Sequence, residues 1–422
     1  MLIRDPIHGD IRLHAHEAGV LDTPEMQRLR GIKQLGTAYL VYPGAHHTRF
    51  EHVLGTLHAA SRICSALRAN GHPVTEDDER IIRLAALVHD VSHIPFGHTF
   101  EDERKVFPRH DRADRLRAFL YGGELGELLA HLGVRDEVFA LLTEERSWRS
   151  DIVAGAVDAD LLDYLRRDAY FCGLAQTYDD RVYTYFSVAD GRLVLRLERH
   201  GMERPDARSE ILHLLRMRYV LTERVYFHHA KVIAGAMISK AVEIAVTRGL
   251  TQERLYPLTD ATLLQMLATE WGDDCAELAR AVQERRLFKR AFGISAATVS
   301  EVERYELAEA YHRPGPRRDA VEARIAREAG LGPHQVILYV PPPTTFKEIS
   351  MLAVTPSGIM PLSRAATSRL EISALEEQYR NLWRLWVFAP ASHREAVAEA
   401  SERVLGLPSE LQQGTPMAGE LR

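Results

Sequence analysis

The sequence predicts a mainly α protein, with a helical body over residues 1–290 and a small α+β lobe over 291–408. Two observations predict it. Apolar residues recur at three- and four-residue spacing through most of the first 290 positions, as the buried face of a helix requires. After that the texture changes to short apolar runs broken by proline and glycine, which read as strands and turns. At 422 residues, 46% apolar and 27% charged, the chain can bury one large core or two. It carries no internal repeat or low-complexity tract.

The elements follow in order. In R-F-E-H-V-L-G-T-L-H-A-A-S-R-I-C-S-A-L (49–67), Phe50, Val53, Leu54, Leu57, Ile63, Cys64 and Leu67 form one apolar stripe, and His52 lies beside it. A second helix, R-I-I-R-L-A-A-L-V-H-D (80–90), ends in His89-Asp90 and runs into a histidine-rich turn, V-S-H-I-P-F-G-H (91–98). In V-D-A-D-L-L-D-Y-L-R-R-D (157–168), Asp160, Tyr164, Arg167 and Asp168 fall on one face by i, i+3 and i, i+4 spacing. Residues 190–198 alternate like a strand, and R-P-G-P-R-R-D (313–319) is expected to be a mobile loop. Strands are expected over 336–340, 349–355, 359–362 and 383–388, separated by Pro341-Pro342-Pro343 and by the turn Pro356-Ser357-Gly358. Helices should cover 366–383 and 392–405, with a frayed tail over 409–422.

His52, His89, Asp90 and Asp160 form the candidate metal site. Imidazole and carboxylate at a buried helix end cost several kcal/mol or more unless they are paired or hold a cation. Adjacent helix residues such as 89 and 90 point about 100° apart, so both reach one ion only at a helix end, with other elements completing the shell. Two imidazoles and two carboxylates suit Mn²⁺, Mg²⁺, Fe²⁺, Ni²⁺ or Zn²⁺ without selecting among them. A second His-Asp dipeptide, His110-Asp111, sits in a charged stretch and lacks the apolar context.

The pattern H…HD…D across three helices resembles the HD-domain metal phosphohydrolases. Flanking stretches (5–14, 22–36, 42–55, 87–100, 158–168 and 224–229) narrow the resemblance to the branch containing the animal SAM-and-HD-domain dNTP triphosphohydrolase and its bacterial relatives. That resemblance implies an HD-type helical bundle that releases deoxynucleoside and intact triphosphate. It places the general acid on His98, supported by His110 and Glu101, and sets His93 against the α-phosphate. Arg49, Arg167 and Arg218 match phosphate-contacting positions; Gln34, Leu35, Tyr164, Asp168 and Tyr226 match the sugar-and-base pocket. Leu161 stands where the animal enzyme has a lysine. Asp22, Gln27, Arg30, Arg285 and Lys289 match an activator-nucleotide site for GTP, dGTP or dATP between subunits of a homo-oligomer, dimer or tetramer, with Arg285 and Lys289 one helical turn apart. No counterpart of the SAM domain is seen.

A net charge of −6 argues against nonspecific binding to duplex nucleic acid, which needs a basic footprint. Three cysteines make an odd count and point to a reducing, cytoplasmic setting, and no apolar run is long enough to span a membrane. Two alternatives stay open: an HD-type nuclease or phosphodiesterase on single-stranded nucleic acid, and a non-catalytic nucleotide-sensing scaffold.

Overall fold

The computed structural model describes residues 1–343, 345–365 and 369–411. Three long helices build the centre. The His52 helix (Arg49–Ala69) starts at Thr48, whose backbone N–H donates to the Glu51 carboxylate in a capping box. Its stripe is buried as expected, Val53, Leu57, Ile63, Cys64 and Leu67 completely. The His89 helix (Glu76–Val88) opens on Thr75, with Glu76, Asp77, Asp78 and Glu79 in its first turn, where the helix dipole favours acids. Every residue from Ile81 to Val88 is buried, and His89 caps the end. The Asp160 helix (Ala159–Phe171) is capped by Asp158, whose carboxylate accepts from the Leu161 N–H at 2.8 Å. It packs directly on the His52 helix. Gly55 permits that approach, because a Cβ there would overlap the Asp163 carboxylate.

The 190–198 segment forms strand Arg192–Arg196, paired with Phe186–Ala189 through a turn at Asp190 and Gly191, both left-handed. That hairpin is the first departure from a two-part chain. Strand Leu352–Thr355 pairs in parallel with Arg192–Arg196, and Gly358–Pro361 follows it at the sheet edge. Phe346, Met351, Ala353, Leu362, Ile372, Leu375 and Tyr379 belong to the same core as the three central helices. The division at 290 therefore does not separate two packing units. Residues 346–380 return to the helical body, whereas strands Lys289–Ser295, Arg384–Ala389 and Ile337–Tyr339 form the sheet of the lobe proper.

Other expectations need correction. Helices Glu301–Tyr311 and Pro316–Glu328 occupy the stretch between lobe strands Lys289–Ser295 and Ile337–Tyr339, and the expected mobile loop is half helix. Arg318 within it is 1% exposed and donates to Glu243 at 2.7 Å. Arg285 and Lys289 do not share a helix. Helix Asp273–Gln283 ends first, Arg285 is left-handed with φ 56°, and Lys289 opens a strand. The C-terminal helices are Arg369–Arg380 and Arg394–Leu405; residues 366–368 lie outside the described residues. The expected frayed tail is anchored at its start, where Glu410 accepts from the Ser295 N–H at 2.9 Å, and 412–422 lie outside the described residues. Cys64, Cys172 and Cys275 are free and buried, and no helix among the described residues is long and apolar enough to cross a membrane.

Candidate active site

The three helices bring the four metal candidates together. His52 Nε2 lies 2.9 Å from Asp160 Oδ1 and 3.8 Å from Asp90 Oδ2. His89 Nε2 lies 3.5 Å from Asp90 Oδ1 and 3.9 Å from Asp160 Oδ1. Both Nε2 atoms are buried without hydrogen-bond geometry to any neighbour. Both Nδ1 atoms are occupied, by Asp163 Oδ2 at 2.8 Å for His52 and by the Ala86 carbonyl at 2.8 Å for His89. A ring that donates from Nδ1 presents its Nε2 lone pair, which is how a metal-ligating imidazole is held. Two such nitrogens and two carboxylates around one point fit a divalent cation.

Electrostatics agree. Burial opposes charge on His52, but Asp160 and Asp163 outweigh it and push the imidazole up to about 10, so this centre attracts positive charge. Burial also opposes ionisation of Asp90, yet the Arg49 guanidinium, His89 and His93 hold its carboxyl well below the usual range. Asp163 escaped the sequence reading. It is fully buried and accepts from His52, from His8 at 2.7 Å and from Arg167 through two bonds of 2.8 Å.

A row of histidines flanks the quartet. His93 stacks on His110 with ring centroids 3.6 Å apart and meets the edge of His98 at 4.9 Å. Gly97 makes room, since a Cβ there would overlap the His93 ring. The carboxylate pairing differs from expectation. Glu101 serves His110 at 2.8 Å, whereas Asp102 serves His98 at 2.9 Å. Residues Thr99–Glu103 form a wide π-type turn, which shifts the partner of His98 from the third to the fourth following residue. Arg109 in turn donates to Asp102 at 2.9 Å. Burial opposes the Asp102 charge, but His98 and Arg109 hold its carboxyl far below the usual range. His93 is wholly buried, neither ring nitrogen has a hydrogen-bond partner, and burial together with Arg49 keeps it neutral.

His89, Asp90 and Asp160 of the quartet and His98 and His110 of the row open onto a cavity of about 470 Å³, while His52 and His93 stay buried behind them. Gln34, Leu35, Arg49, Tyr164, Asp168, Arg218 and Tyr226 all line it. Asp168 accepts from the Tyr226 hydroxyl at 2.7 Å and from His47 at 2.8 Å, and Arg218 lies near both the Tyr164 and Tyr226 rings. Leu161 also faces the cavity. Arg167 does not. Its buried guanidinium is consumed by Asp163 and by Asp5 at 2.8 Å, so the expected phosphate contact is replaced by a structural one. Lys347, Glu348 and Tyr379, which local sequence patterns do not reveal, line the cavity too.

The expected activator residues fall into two groups. Asp22 and Arg30 are exposed; Arg30 donates to Gln27 at 2.9 Å and lies 3.5 Å from the Phe50 ring centroid. Arg285 donates to the Leu40 carbonyl at 3.1 Å, and Lys289 is exposed.

The HD domain model matches residues 49–168 and the HD associated region matches 205–415. The chain belongs to the HD-domain phosphohydrolase family and is an enzyme of that family. It is 28% identical over 95% of its length to an uncharacterized protein of Methanocaldococcus jannaschii, covering 81% of that protein. It is 33% identical over 58% of its length to the uncharacterized protein YwfO of Bacillus subtilis, covering 55% of it. The deoxynucleoside triphosphate triphosphohydrolase SAMHD1 of Danio rerio is 28% identical over 71% of this chain, which spans 56% of that relative. Among solved structures, a phosphohydrolase from Bacteroides thetaiotaomicron superposes with a TM-score of 0.69 at 22% identity. It covers 92% of this chain and 99% of its own, which supports the fold.

Proposed function

We propose that this protein is a metal-dependent deoxynucleoside triphosphate triphosphohydrolase, converting dNTP and water into deoxynucleoside and triphosphate. One observation carries the reading: His89, Asp90 and Asp160, clustered around buried His52, open onto a cavity that also holds a histidine–carboxylate pair, arginines, and a tyrosine–aspartate wall. SAMHD1 relatives with that printed activity support it at the level of sequence.

His52, His89, Asp90 and Asp160 would hold one divalent ion, Mn²⁺ or Mg²⁺ in this reading, with Asp163 and the Ala86 carbonyl fixing the two rings. Such an ion supplies Lewis acidity at a phosphoryl oxygen and a lowered pKa for attacking water. As water adds to the α-phosphorus, the bond to the 5′ oxygen breaks. His98, oriented by Asp102, donates a proton to that oxygen. His110, paired with Glu101, stands behind it; His93, expected at the α-phosphate, is instead buried against the His98 and His110 rings and supports them from behind.

Arg49 and Arg218 contact the phosphates. Asp168 and Gln34 bind the 3′-hydroxyl, Leu35 and Tyr164 line the sugar, and Tyr226, tied to Asp168, leaves no room for a ribose 2′-hydroxyl. A second nucleotide, GTP, dGTP or dATP, would bind Asp22, Gln27, Arg30, Arg285 and Lys289 across the interface of a homo-oligomer. The test is an anion-exchange assay of each dNTP, alone and in pairs, with Mn²⁺ or Mg²⁺. Intact triphosphate as product supports the reading. Pyrophosphate as product, or cleavage of single-stranded DNA with no dNTP turnover, overturns it.

A further inference from the structure

We propose that Lys347 binds the polyphosphate of the substrate, completing the phosphate wall of the cavity from the C-terminal half of the chain. The proposal rests on the nucleoside-triphosphate reading above and names a further residue for it. A triphosphate brings several negative charges into the cavity, and six cationic side chains line it. Five are already engaged. Arg49 pairs with Asp90, Arg109 with Asp102, Arg218 with Glu348 at 3.0 Å, Lys231 with Glu103 at 2.7 Å, and Lys33 faces Asp260 at 3.9 Å. The Lys347 ammonium has no ion pair or side-chain hydrogen bond among the described residues, although it is exposed at the cavity wall.

The segment carrying it is held in place. Phe346, 5% exposed, stacks on Tyr379 with ring centroids 4.8 Å apart. Glu348, 6% exposed, accepts from Arg218 Nε. Lys347 thus sits between two anchors while its own side chain stays uncommitted. An unpaired lysine on a wall of otherwise neutralised cations is the contact a phosphate finds first, as a point charge.

Two measurements test this on the full-length protein: steady-state kinetics on the best dNTP, and calorimetric binding of inorganic triphosphate in the presence of Mn²⁺. Lys347→Ala should raise KM and weaken triphosphate binding roughly tenfold, as loss of one charge-assisted contact predicts. Lys347→Glu should weaken both further, Lys347→Arg should restore most of the loss, and binding of inorganic monophosphate should change less. Metal content and melting temperature should stay at wild-type values in all three. If wild type turns over dNTP and Lys347→Ala keeps its KM and triphosphate affinity, the Lys347 assignment is overturned and the function stands. If wild type turns over no dNTP, the function reading falls, and unchanged triphosphate binding in Lys347→Ala overturns this assignment too.

Discussion

Asp163→Asn separates what orients the metal ligands from what merely packs beside them. The Asp163 carboxylate, fully buried, accepts four hydrogen bonds: one from His52 Nδ1, one from His8 and two from Arg167. An asparagine has one acceptor oxygen, so its amide N–H groups must confront donors on at least one side. If they confront Arg167, that guanidinium keeps only Asp5, and orphaning part of a buried ion pair costs about 3–5 kcal/mol. Retention of Asp5 puts the change near the lower end, and at roughly 2–4 °C per kcal/mol for mid-sized domains the melting temperature should drop by about 5–10 °C. Where the amide nitrogen takes the Oδ2 position it also faces His52 Nδ1, and metal binding weakens about 10–100-fold; Asp163→Ala removes that acceptor in every case and should show the full loss. Differential scanning fluorimetry reads the first effect, and Mn²⁺ titration against a competing chelator reads the second. Asp5→Asn is the control, since it disturbs Arg167 but not His52, and should destabilise without weakening the metal. Wild-type Mn²⁺ affinity in Asp163→Ala, which leaves His52 Nδ1 no acceptor, would refute the orienting role.

Other outcomes follow from the same geometry. His98→Ala should retain metal and bind dNTP yet lose about 10²–10⁴ in rate, and Asp102→Asn should reproduce part of that loss; metal loss in His98→Ala would make His98 a ligand instead. Burial is the largest influence on His58 and His312 and lowers each imidazole from 6.5 to about 4. The unfolded chain therefore takes up these protons first, so their contribution to stability is complete above about pH 6.5 and declines toward about pH 4. Glu101, buried but held down to about 2 chiefly by His110 and Arg115, extends the decline from 4.5 downward, and a melting temperature flat from pH 7 to 4 would contradict both. Addition of a second nucleotide should raise dNTP turnover and oligomer size together; Asp22→Ala should abolish the rise and spare basal rate, which kinetics with light scattering can check.

The convergence of His52, His89, Asp90 and Asp160 was legible because each sits in a local pattern: an apolar stripe beside His52, a helix end at His89-Asp90, an acidic helix start at Asp160. Arg167 was misplaced because spacing alone put it on one face with Asp160, Tyr164 and Asp168. In the structure that helix has two polar faces. Asp163 and Arg167, one turn apart, face the His52 helix and Asp5, while Asp160, Tyr164 and Asp168 face the cavity. Asp102 was missed because a wide turn has no signature in composition and displaces pairing by one residue. Helix Glu301–Tyr311 was invisible for a different reason: it buries no residue, so no apolar stripe exists to be read. Lys347 and Glu348 reach the cavity only through contacts such as Arg218–Glu348, 130 residues apart, and local periodicity carries no information at that range.

The distant half of the chain also holds the histidine-bearing loop from behind. Arg104, immediately after the wide turn, is 1% exposed and grips Glu243 through two bonds of 2.9 Å and the Leu338 carbonyl through one of 2.6 Å. Glu243 belongs to helix His229–Thr247 and also accepts from Arg318 at 2.7 Å; Glu322, on the helix of Arg318, pairs with Lys240 and Arg104. Buried charges of this kind cannot slide, since leaving one unpaired costs several kcal/mol, so the network admits one position for the loop that carries His98, Glu101 and Asp102. The region after residue 205 therefore shapes the site twice, fixing the loop that carries His98 and supplying Arg218, Lys347 and Glu348 to the cavity. A cut at residue 290 would remove Arg318, Glu322 and Leu338 as well as Lys347 and Glu348. It would leave all four metal candidates in the chain while releasing the loop that carries His98, Glu101 and Asp102.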